Sequence, residues 1–265
     1  MARTNEPGRS VTDRVLSILA VFEGSLTPKS LSDIAESAGL AISTTHRLLA
    51  ELERWGAVQR DPHGRYQIGI RLWELGQNAG RQLREVARPL LQDLYSLTQE
   101  TSHIAIRDRA EVLYLDRVYG TKRVPQAGRV GGRLPLHATA VGKAILAYET
   151  EWVREAILHH RLEGRTAFTH VDPDQLRVEL AQIRDLGFAT TREEVRLGSC
   201  SIAVPVFHRD GTIGGALGIV MSPTPRREME RHLPVLRGIA HQIEARTGGL
   251  PLSSMRPATS RPVSR

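Results

Sequence analysis

The stretch GGRLPLHATAVGKA, residues 131–144, combines glycines, a histidine and a Gly142–Lys143 pair in front of a predicted helix. A phosphate-binding Walker loop has a glycine separated by four residues from such a pair, and a serine or threonine directly after it. This sequence has His137 and Ala144 at those two positions. The pattern therefore predicts no nucleotide site, and we expect Lys143 to be structural or to face solvent.

Cys200 is the only cysteine, which excludes a disulfide framework and a thiolate zinc site. A catalytic thiolate needs a nearby base, whereas His103, His137 and His208 are far apart in the sequence and no acyl-transfer motif surrounds them. We expect Cys200 to be a small buried residue that either lines a pocket or packs in the core. An enzyme whose residues 100–247 catalyse a reaction stays open as an alternative.

Two further pairs of chemically competent side chains are neighbours in the sequence. Glu193 and Glu194 fall on a predicted strand, where adjacent residues point to opposite faces, so they do not form an acid–base couple. Glu193 can approach a ligand, whereas Glu194 is expected to be solvated or structural. His159 and His160 end a predicted helix without a third metal ligand at useful spacing, which favours a C-terminal cap. The sequence thus predicts no catalytic residue, no metal and no cofactor.

The charge of the chain is informative mainly through its distribution. The 265 residues carry a net charge of +7, yet residues 1–80 hold nine Lys and Arg against nine Asp and Glu. The excess lies in residues 81–133 and in the C-terminal tail, so basicity alone does not locate a nucleic-acid surface. Apolar runs are far shorter than the roughly 20 residues of a transmembrane helix, and no signal-peptide core follows the N-terminus. We expect a cytoplasmic protein without a membrane partner.

The residues from 31 to 55 are predicted to form a helix-turn-helix. A short helix over 31–37 follows Ser30, a tight turn contains Gly39, and a longer helix runs from about 43 to Trp55. The next two segments, AVQRD and RYQIG, are predicted to be short strands that form a wing hairpin. The start of the second helix would enter the major groove and the wing would contact the flanking backbone. The predicted DNA-contacting residues are Ser43, Thr44, Thr45, His46 and Arg47 on the helix, and Arg60 and Arg65 on the wing. A helix-hairpin adaptor that binds protein is the alternative.

The remainder of the chain alternates between strand and helix patterns, which predicts a mixed α+β domain. Strands are expected at HIAIRD, EVLYLDRV, GRLPL, FATT, SIAVPVF and TIGGALGIV, and helices at 138–148, 152–160, 173–186 and 226–247. The predicted organisation is a disordered arm at 1–10, a DNA-binding domain at 11–72, a linker helix at 73–98, an α+β domain at 99–248 and a disordered tail at 249–265. Pro89 is expected to start a new helix within the linker or to kink it.

Six segments carry a resemblance that covers residues 11 to 247. They are RVLSILAVF at 14–22, LSDIAESAGLAISTTHRLLAELERWGAV at 31–58, YQIGIRLWELG at 66–76, LPLHATAVGKAILA at 134–147, IRDLGFATTREE at 183–194 and IAVPVF at 202–207. In this order they resemble the IclR-type family of bacterial transcription regulators. The resemblance implies an α+β protein with a winged helix-turn-helix, a linker helix and a GAF-like effector-binding domain. It implies three kinds of partner: double-stranded operator DNA, a small-molecule effector, and further copies of the chain in a homodimer or a dimer of dimers.

The resemblance also implies where an effector would bind. The implied pocket residues are Leu134, Ala140, Val141, Ser199, Cys200, Ser201, Gly218 and Val220, with Glu193 close enough to approach the ligand. In relatives that bind small carboxylates, polar side chains at the last two positions and backbone amides at the helix start hold the carboxylate. Gly218 and Val220 carry no hydroxyl, which favours a larger or more apolar effector. The expected function is repression, or alternatively activation, of an operon that degrades a small organic acid or aromatic compound.

Overall fold

The computed structural model describes residues 9–23, 25, 27–78, 81–119, 124 and 128–247. The chain divides into two compact units, Met1–Ala79 and Gly80–Arg265. The predicted disordered tail and residues 1–8 of the predicted arm lie outside the described residues. The prediction was wrong for Ser10, which belongs to the folded unit because it caps the first helix.

The described part of the N-terminal unit contains four helices and one hairpin. Their bounds are α1 Val11–Ala20, α2 Leu31–Ala38, α3 Ile42–Trp55, β1 Val58–Arg60, β2 Tyr66–Ile68 and α4 Ile70–Asn78. The side chains of Ser10 and Ser30 accept the N–H groups of Asp13 and Asp33, whose carboxylates accept the serine N–H groups in return. These reciprocal bonds satisfy helix N–H groups that lack an intrahelical partner, which is why α1 and α2 begin there.

The turn between α2 and α3 depends on Gly39. It ends α2 with φ +64°, a left-handed conformation that side chains disfavour. The crossing of the two helices encloses a small apolar core that includes Ile18, Ile34 and Leu49, all fully buried. The wing is attached to this core through Tyr66, which is 2% exposed and pairs with Lys29. The predicted helix-turn-helix with its wing hairpin is therefore the observed structure.

The second unit is a six-stranded antiparallel sheet with helices on both faces. Its elements are α5 Arg81–Thr98, β3 Thr101–Asp108, β4 Glu111–Val118, β5 Arg133–Pro135, α6 Ala140–Tyr148, α7 Glu151–Leu158, α8 Pro173–Leu186, β6 Ala189–Arg192, β7 Cys200–Phe207, β8 Ile213–Met221, α9 Arg226–Glu230 and α10 Leu233–Thr247. The strand order is β5-β4-β3-β8-β7-β6. Helices α5 and α10 pack on one face and α6 and α8 on the other, so two apolar layers enclose the sheet. The predicted α+β class is confirmed.

One helix prediction was wrong in detail. The segment 226–247 forms two helices, α9 and α10, because Arg231 and His232 interrupt it and Pro234, with no N–H to donate, lies at the second position of α10. Of the two alternatives for Pro89, a new helix is excluded because α5 is continuous through it, and a kink stays a prediction. Helix α4 already begins at Ile70, three residues before the predicted linker.

Candidate functional site

The first turn of α3 presents polar side chains to solvent. Ser43, His46 and Arg47 are exposed and Thr44 is half-buried. The N-cap residue Ala41 makes no side-chain cap, and the first turn contains no acidic residue. The first N–H groups of α3 are therefore not taken up by a cap of the kind that begins α1 and α2, and the positive end of the helix dipole is not neutralised. Such a helix start is suited to an anionic partner.

Thr45 is a correction to the predicted DNA-contacting set. Its side chain is fully buried, and its hydroxyl donates to the Ala41 carbonyl at 3.1 Å. In a helix, residues three and four positions apart share a face, so Thr45 lies with the buried Leu48 and Leu49. It supports the helix from inside and cannot reach a ligand in solvent.

The wing carries two arginines that are held in place by neighbouring side chains. Arg60 Nε lies 3.2 Å from a Glu53 carboxylate oxygen, and its guanidinium stacks over the Tyr66 ring at 4.7 Å. Arg65 pairs with Asp61 at 3.0 Å. The Asp61 carboxylate also accepts the N–H groups of His63 and Arg65, which fixes the turn. Both arginine side chains keep 41–48% of their surface exposed, so their charge remains available to a partner.

A cavity that is partly open to solvent lies in the second unit where α6 begins above the sheet. The space outside the protein atoms in and around it is about 470 Å³, which includes open solvent. Seven predicted effector residues line it: Leu134, Ala140, Val141, Glu193, Ser199, Ser201 and Val220. The start of α6 contributes backbone as well as side chains. Thr139 Oγ1 accepts the Gly142 N–H at 3.0 Å, which leaves the N–H groups of Ala140 and Val141 as the first-turn donors beside the cavity.

Two of the predicted effector residues do not line this cavity. Cys200 is 1% exposed and packs in the apolar layer under α5 and α10, on the opposite face of the sheet. Its Sγ contacts the Ser222 carbonyl at 3.1 Å, and burial raises the pKa of its thiol. Gly218 lies beneath the His103 ring, since a Cβ at this position would be 3.0 Å from His103 Nε2. The His103 imidazole occupies the space that a side chain at position 218 would need.

The predicted effector set lacked the ring and guanidinium side chains of His103, Tyr114 and Arg117, which line the cavity together with Thr139, Thr191 and Glu194. The His103 and Tyr114 rings are 5.3 Å apart between centroids. Burial, reinforced by the nearby Arg117 charge, lowers the pKa of His103 to about 3, and burial raises the pKa of Tyr114 to about 12. Both rings are therefore neutral at ordinary pH. The available signal in the sequence was a histidine and an arginine beside the apolar residues of two strand patterns, HIAIRD and EVLYLDRV.

Lys143 and Glu194 belong to an ion-pair cluster at the cavity wall. The Lys143 side chain is fully buried, and its Nζ lies 2.7–2.9 Å from both carboxylate oxygens of Glu179 and of Glu194. Burial raises the pKa of the Glu194 carboxyl, and Lys143 opposes that rise. For Lys143 and Glu194, each expected to be either structural or solvent-facing, the structural alternative holds. His170 Nδ1 lies 2.8 Å from Glu179, but the ammonium already supplies the cation that the carboxylates need.

Glu193 and Glu194 also differ from their predicted backbone setting. Strand β6 ends at Arg192, and Glu193 has φ +58°, so the pair begins a loop. The Glu193 N–H donates to the Ser199 carbonyl at 2.7 Å, and its carboxylate accepts the Gly198 N–H at 2.8 Å. This loop closes on itself and forms one side of the cavity. His159 is the C-cap residue of α7, but its exposed ring lies 3.8 Å from Glu155.

Comparisons with known proteins match each of the two units to a domain of the same family. Residues 11–62 match the family description "IclR helix-turn-helix domain", and residues 78–245 match "Bacterial transcriptional regulator IclR C-terminal". The chain is similar to the HTH-type transcriptional regulator XynR of Escherichia coli K12, with 34% identity over 78% of this chain and 84% of the relative. It is also similar to the HTH-type transcriptional repressor AllR of Escherichia coli K12, with 31% identity over 92% of each chain.

Solved structures give the same result. An IclR homologue from Microbacterium hydrocarbonoxydans, complexed with 4-hydroxybenzoate, aligns with a TM-score of 0.84 and 32% identity over 89% of this chain and 98% of that chain. The Thermotoga maritima IclR aligns with a TM-score of 0.73 and 30% identity over the same shares. Within the described residues, every helix is too short or too polar to cross a membrane. The relatives are regulators, which confirms the non-enzymatic prediction against the enzyme alternative. This chain belongs to the IclR family of bacterial transcriptional regulators.

Proposed function

We propose that this regulator is a ligand-responsive repressor of an operon that degrades a small organic acid or aromatic compound. The cavity at the start of α6 carries the proposal, because it is polar in part and set against two first-turn helix N–H groups. Several relatives are named repressors, among them the Transcriptional repressor IclR of Escherichia coli K12 at 33% identity. The Microbacterium homologue binds 4-hydroxybenzoate, an aromatic acid. An activator of the same type is the alternative.

The start of α3 is the proposed reader of operator DNA. Ser43, Thr44 and His46 can donate to phosphates or base edges, and Arg47 can contact a guanine through two hydrogen bonds. Arg47 is 64% exposed and lies 3.9 Å from Glu51, a loose pair that a DNA contact can replace. Arg60 and Arg65 of the wing would contact the flanking phosphates. Thr45, which the sequence included, is left out because it is buried.

Self-association is part of the proposal. Large apolar side chains on two helices of the N-terminal unit are more than half exposed: Val11 and Leu16 on α1, and Ile70, Trp73 and Leu75 on α4. Exposed apolar groups of this extent favour contact with another protein surface. A homodimer would offer two α3 helices to a two-fold operator, and a dimer of dimers would offer four. Operator DNA lies in the cytoplasm of a bacterium, so a cytoplasmic location follows from the same proposal.

The proposed mechanism is a shift between two arrangements of the protein. The effector binds one arrangement more tightly, and the predicted linker at 73–98, which spans most of α4 and all of α5, carries the change to the spacing of the α3 helices. An effector can change operator affinity only by its own difference in affinity for the two arrangements. Typical values of this coupling are about 1–3 kcal/mol.

A gel-shift titration on the region upstream of the chain's own operon tests the DNA part. We expect binding that weakens steeply with salt, because displaced counterions dominate such contacts. Arg47→Ala should weaken binding at all salt concentrations. Arg54→Ala removes the same charge from the exposed last turn of α3 and is the matched control. No binding at low salt would overturn the proposal in favour of the protein-binding adaptor.

The effector part is tested with the same titration. Candidate acids suggested by the genes of the operon are added, and we expect one of them to release the DNA. An acid that tightens binding would identify an activator-type response. Failure of every candidate to change binding, with operator binding intact, would remove ligand response from the proposal.

A further inference from the structure

Arg117 is a buried cation without a carboxylate partner in the described part of the chain. It is 2% exposed, and its Nη1 donates to the Gly128 carbonyl. Its Nε is buried without a hydrogen-bond partner. The adjacent Asp116 carboxylate pairs with Arg88 at 2.7 Å. Burial lowers the pKa of Arg117, and the neighbours that oppose this shift are two tyrosines. A buried charge of this kind is costly unless an anion compensates it.

The register of β4 directs Arg117 towards the cavity. The pairing of β3 with β4 shifts by one residue, so that Asp116 lies opposite Ile104, Tyr114 lies opposite Ala105, and Leu115 is left without a partner. In a regular strand, residues 114 and 117 would point to opposite faces. The extra residue places both on the cavity face. Asp116 is turned to the other face, towards Arg88 of α5.

The cavity wall offers a second polar atom without a partner and no spare carboxylate. His103 lies directly opposite Arg117 in the register, and its buried Nδ1 makes no hydrogen bond. Glu193 and Glu194 also line the cavity, but Glu193 accepts the Gly198 N–H and Glu194 pairs with Lys143. Both carboxylates in the cavity wall therefore already have partners other than Arg117. No carboxylate of the described residues therefore serves as the counter-charge of Arg117, which has only the Tyr119 ring at 5.3 Å as a further partner.

We propose that Arg117 binds the carboxylate of the effector, with His103 Nδ1 as a second polar contact to the same ligand. This inference rests on the proposed function and deepens it, since it names the effector as an organic anion and assigns the residue that selects the charge. Guanidinium groups suit this task because their planar donors match a carboxylate. The ring faces of Tyr114 and His103, with Leu134 and Val220, give the remainder of the ligand apolar surroundings.

The test compares acids with their uncharged amides by isothermal titration calorimetry on the full-length protein. The probes are benzoate, 4-hydroxybenzoate and hexanoate, each paired with its primary amide. Hydrogen bonds to charged groups predict that at least one acid binds roughly ten- to a hundredfold more tightly than its amide. Equal binding of acid and amide in every pair overturns the inference, as does the absence of binding by all three acids at millimolar concentration.

Variants of Arg117 locate the charge preference. Arg117→Gln should remove the preference for the acid, and Arg117→Lys should keep part of it. Arg88→Gln removes an arginine from the opposite face of the same sheet and should leave the preference unchanged. A folded Arg117→Gln protein that still prefers the acid overturns the inference. Should that variant fail to fold, the wild-type comparison and the lysine variant still decide the outcome.

Failure of the inference and failure of the proposed function are distinguishable. Acids that bind through Arg117 without changing operator affinity would remove ligand-responsive regulation and keep the anion site. Neutral amides that release operator DNA as well as acids do would keep the regulation and remove the anion site.

Discussion

The protonation state of His103 is set by its surroundings. Its ring is 2% exposed beside the Arg117 charge, and its pKa is lowered from an ordinary 6.5 to about 3. The neutral form is shared by the folded and unfolded chains above pH 6.5. Between pH 6.5 and about 3 the unfolded chain binds a proton that the folded chain does not. Stability attributable to His103 is therefore present above 6.5 and lost as the pH falls.

His103→Gln tests this pH dependence. The glutamine cannot take up a proton, so below pH 6.5 the free energy of unfolding of the wild type should fall faster than that of the variant. The difference between them should approach about 1.4 kcal/mol per pH unit. Urea unfolding followed by circular dichroism at pH 7, 6 and 5 measures it. A difference that stays constant over this range would contradict neutral burial of His103.

Lys143 belongs to the Gly142–Lys143 pair that resembles part of a phosphate-binding loop. In the structure its ammonium group pairs with two carboxylates. Lys143→Met should lower the free energy of unfolding by about 3–5 kcal/mol, because Glu179 and Glu194 would face each other without a cation. Adding Glu194→Gln to Lys143→Met should recover part of this loss, and chemical denaturation measures both. A single variant as stable as the wild type would mean that the cluster does not stabilise the fold.

The polar residues in the first turn of helix α3 lie on different faces of the helix. Ser43 is exposed whereas Thr45 is buried, although the two are separated by one residue. Ser43→Ala should weaken operator binding roughly three- to tenfold by loss of one hydrogen bond. Thr45→Val keeps the shape of a buried side chain and should leave operator affinity unchanged, with a small loss of stability. Gel shifts with the two variants at one salt concentration make the comparison, and equal losses in affinity would argue against the assigned faces.

Elements that depend on local chemistry were predictable from the sequence. Ser30, three residues ahead of Asp33, marks the start of α2, Gly39 marks the turn, and Asp172 stands directly before the predicted helix at 173–186 and caps α8. Each of these signals involves residues within a few positions of one another. The helix-turn-helix and most strands follow from such signals together with apolar periodicity.

Elements of the cavity depend on partners far apart in the chain, which a single sequence does not reveal. The face of Arg117 is decided by an unpaired residue in β4, and the face of Cys200 by its pairing with Met221. Lys143 meets Glu194 across 51 positions. The family resemblance supplied seven residues of the cavity wall, but it could not supply His103, Tyr114 and Arg117, since the pattern at those positions resembles an ordinary buried strand.

At the scale of the whole molecule, each unit has its own apolar core. The N-terminal core gathers around Ile34 and Leu49, and the second unit has one apolar layer on each face of its sheet. Only the layer under α6 contains the cavity, so an effector bound there would act on that face directly. In the proposed function, operator binding belongs to the other unit. Ligand-responsive regulation would therefore require a free energy of coupling between two sites that lie in different units of the chain.

Such a coupling must be reciprocal, which gives the last prediction. If an effector weakens operator binding by a factor between about 5 and 150, saturating operator DNA must weaken effector binding by the same factor. Effector titrations with and without operator, set beside operator titrations with and without effector, measure both ratios. Arg47→Ala supplies the control, because at concentrations where it no longer binds operator, added DNA should leave its effector affinity unchanged. An effector that fills the cavity while both ratios stay at one would show that the cavity is occupied without being coupled to DNA.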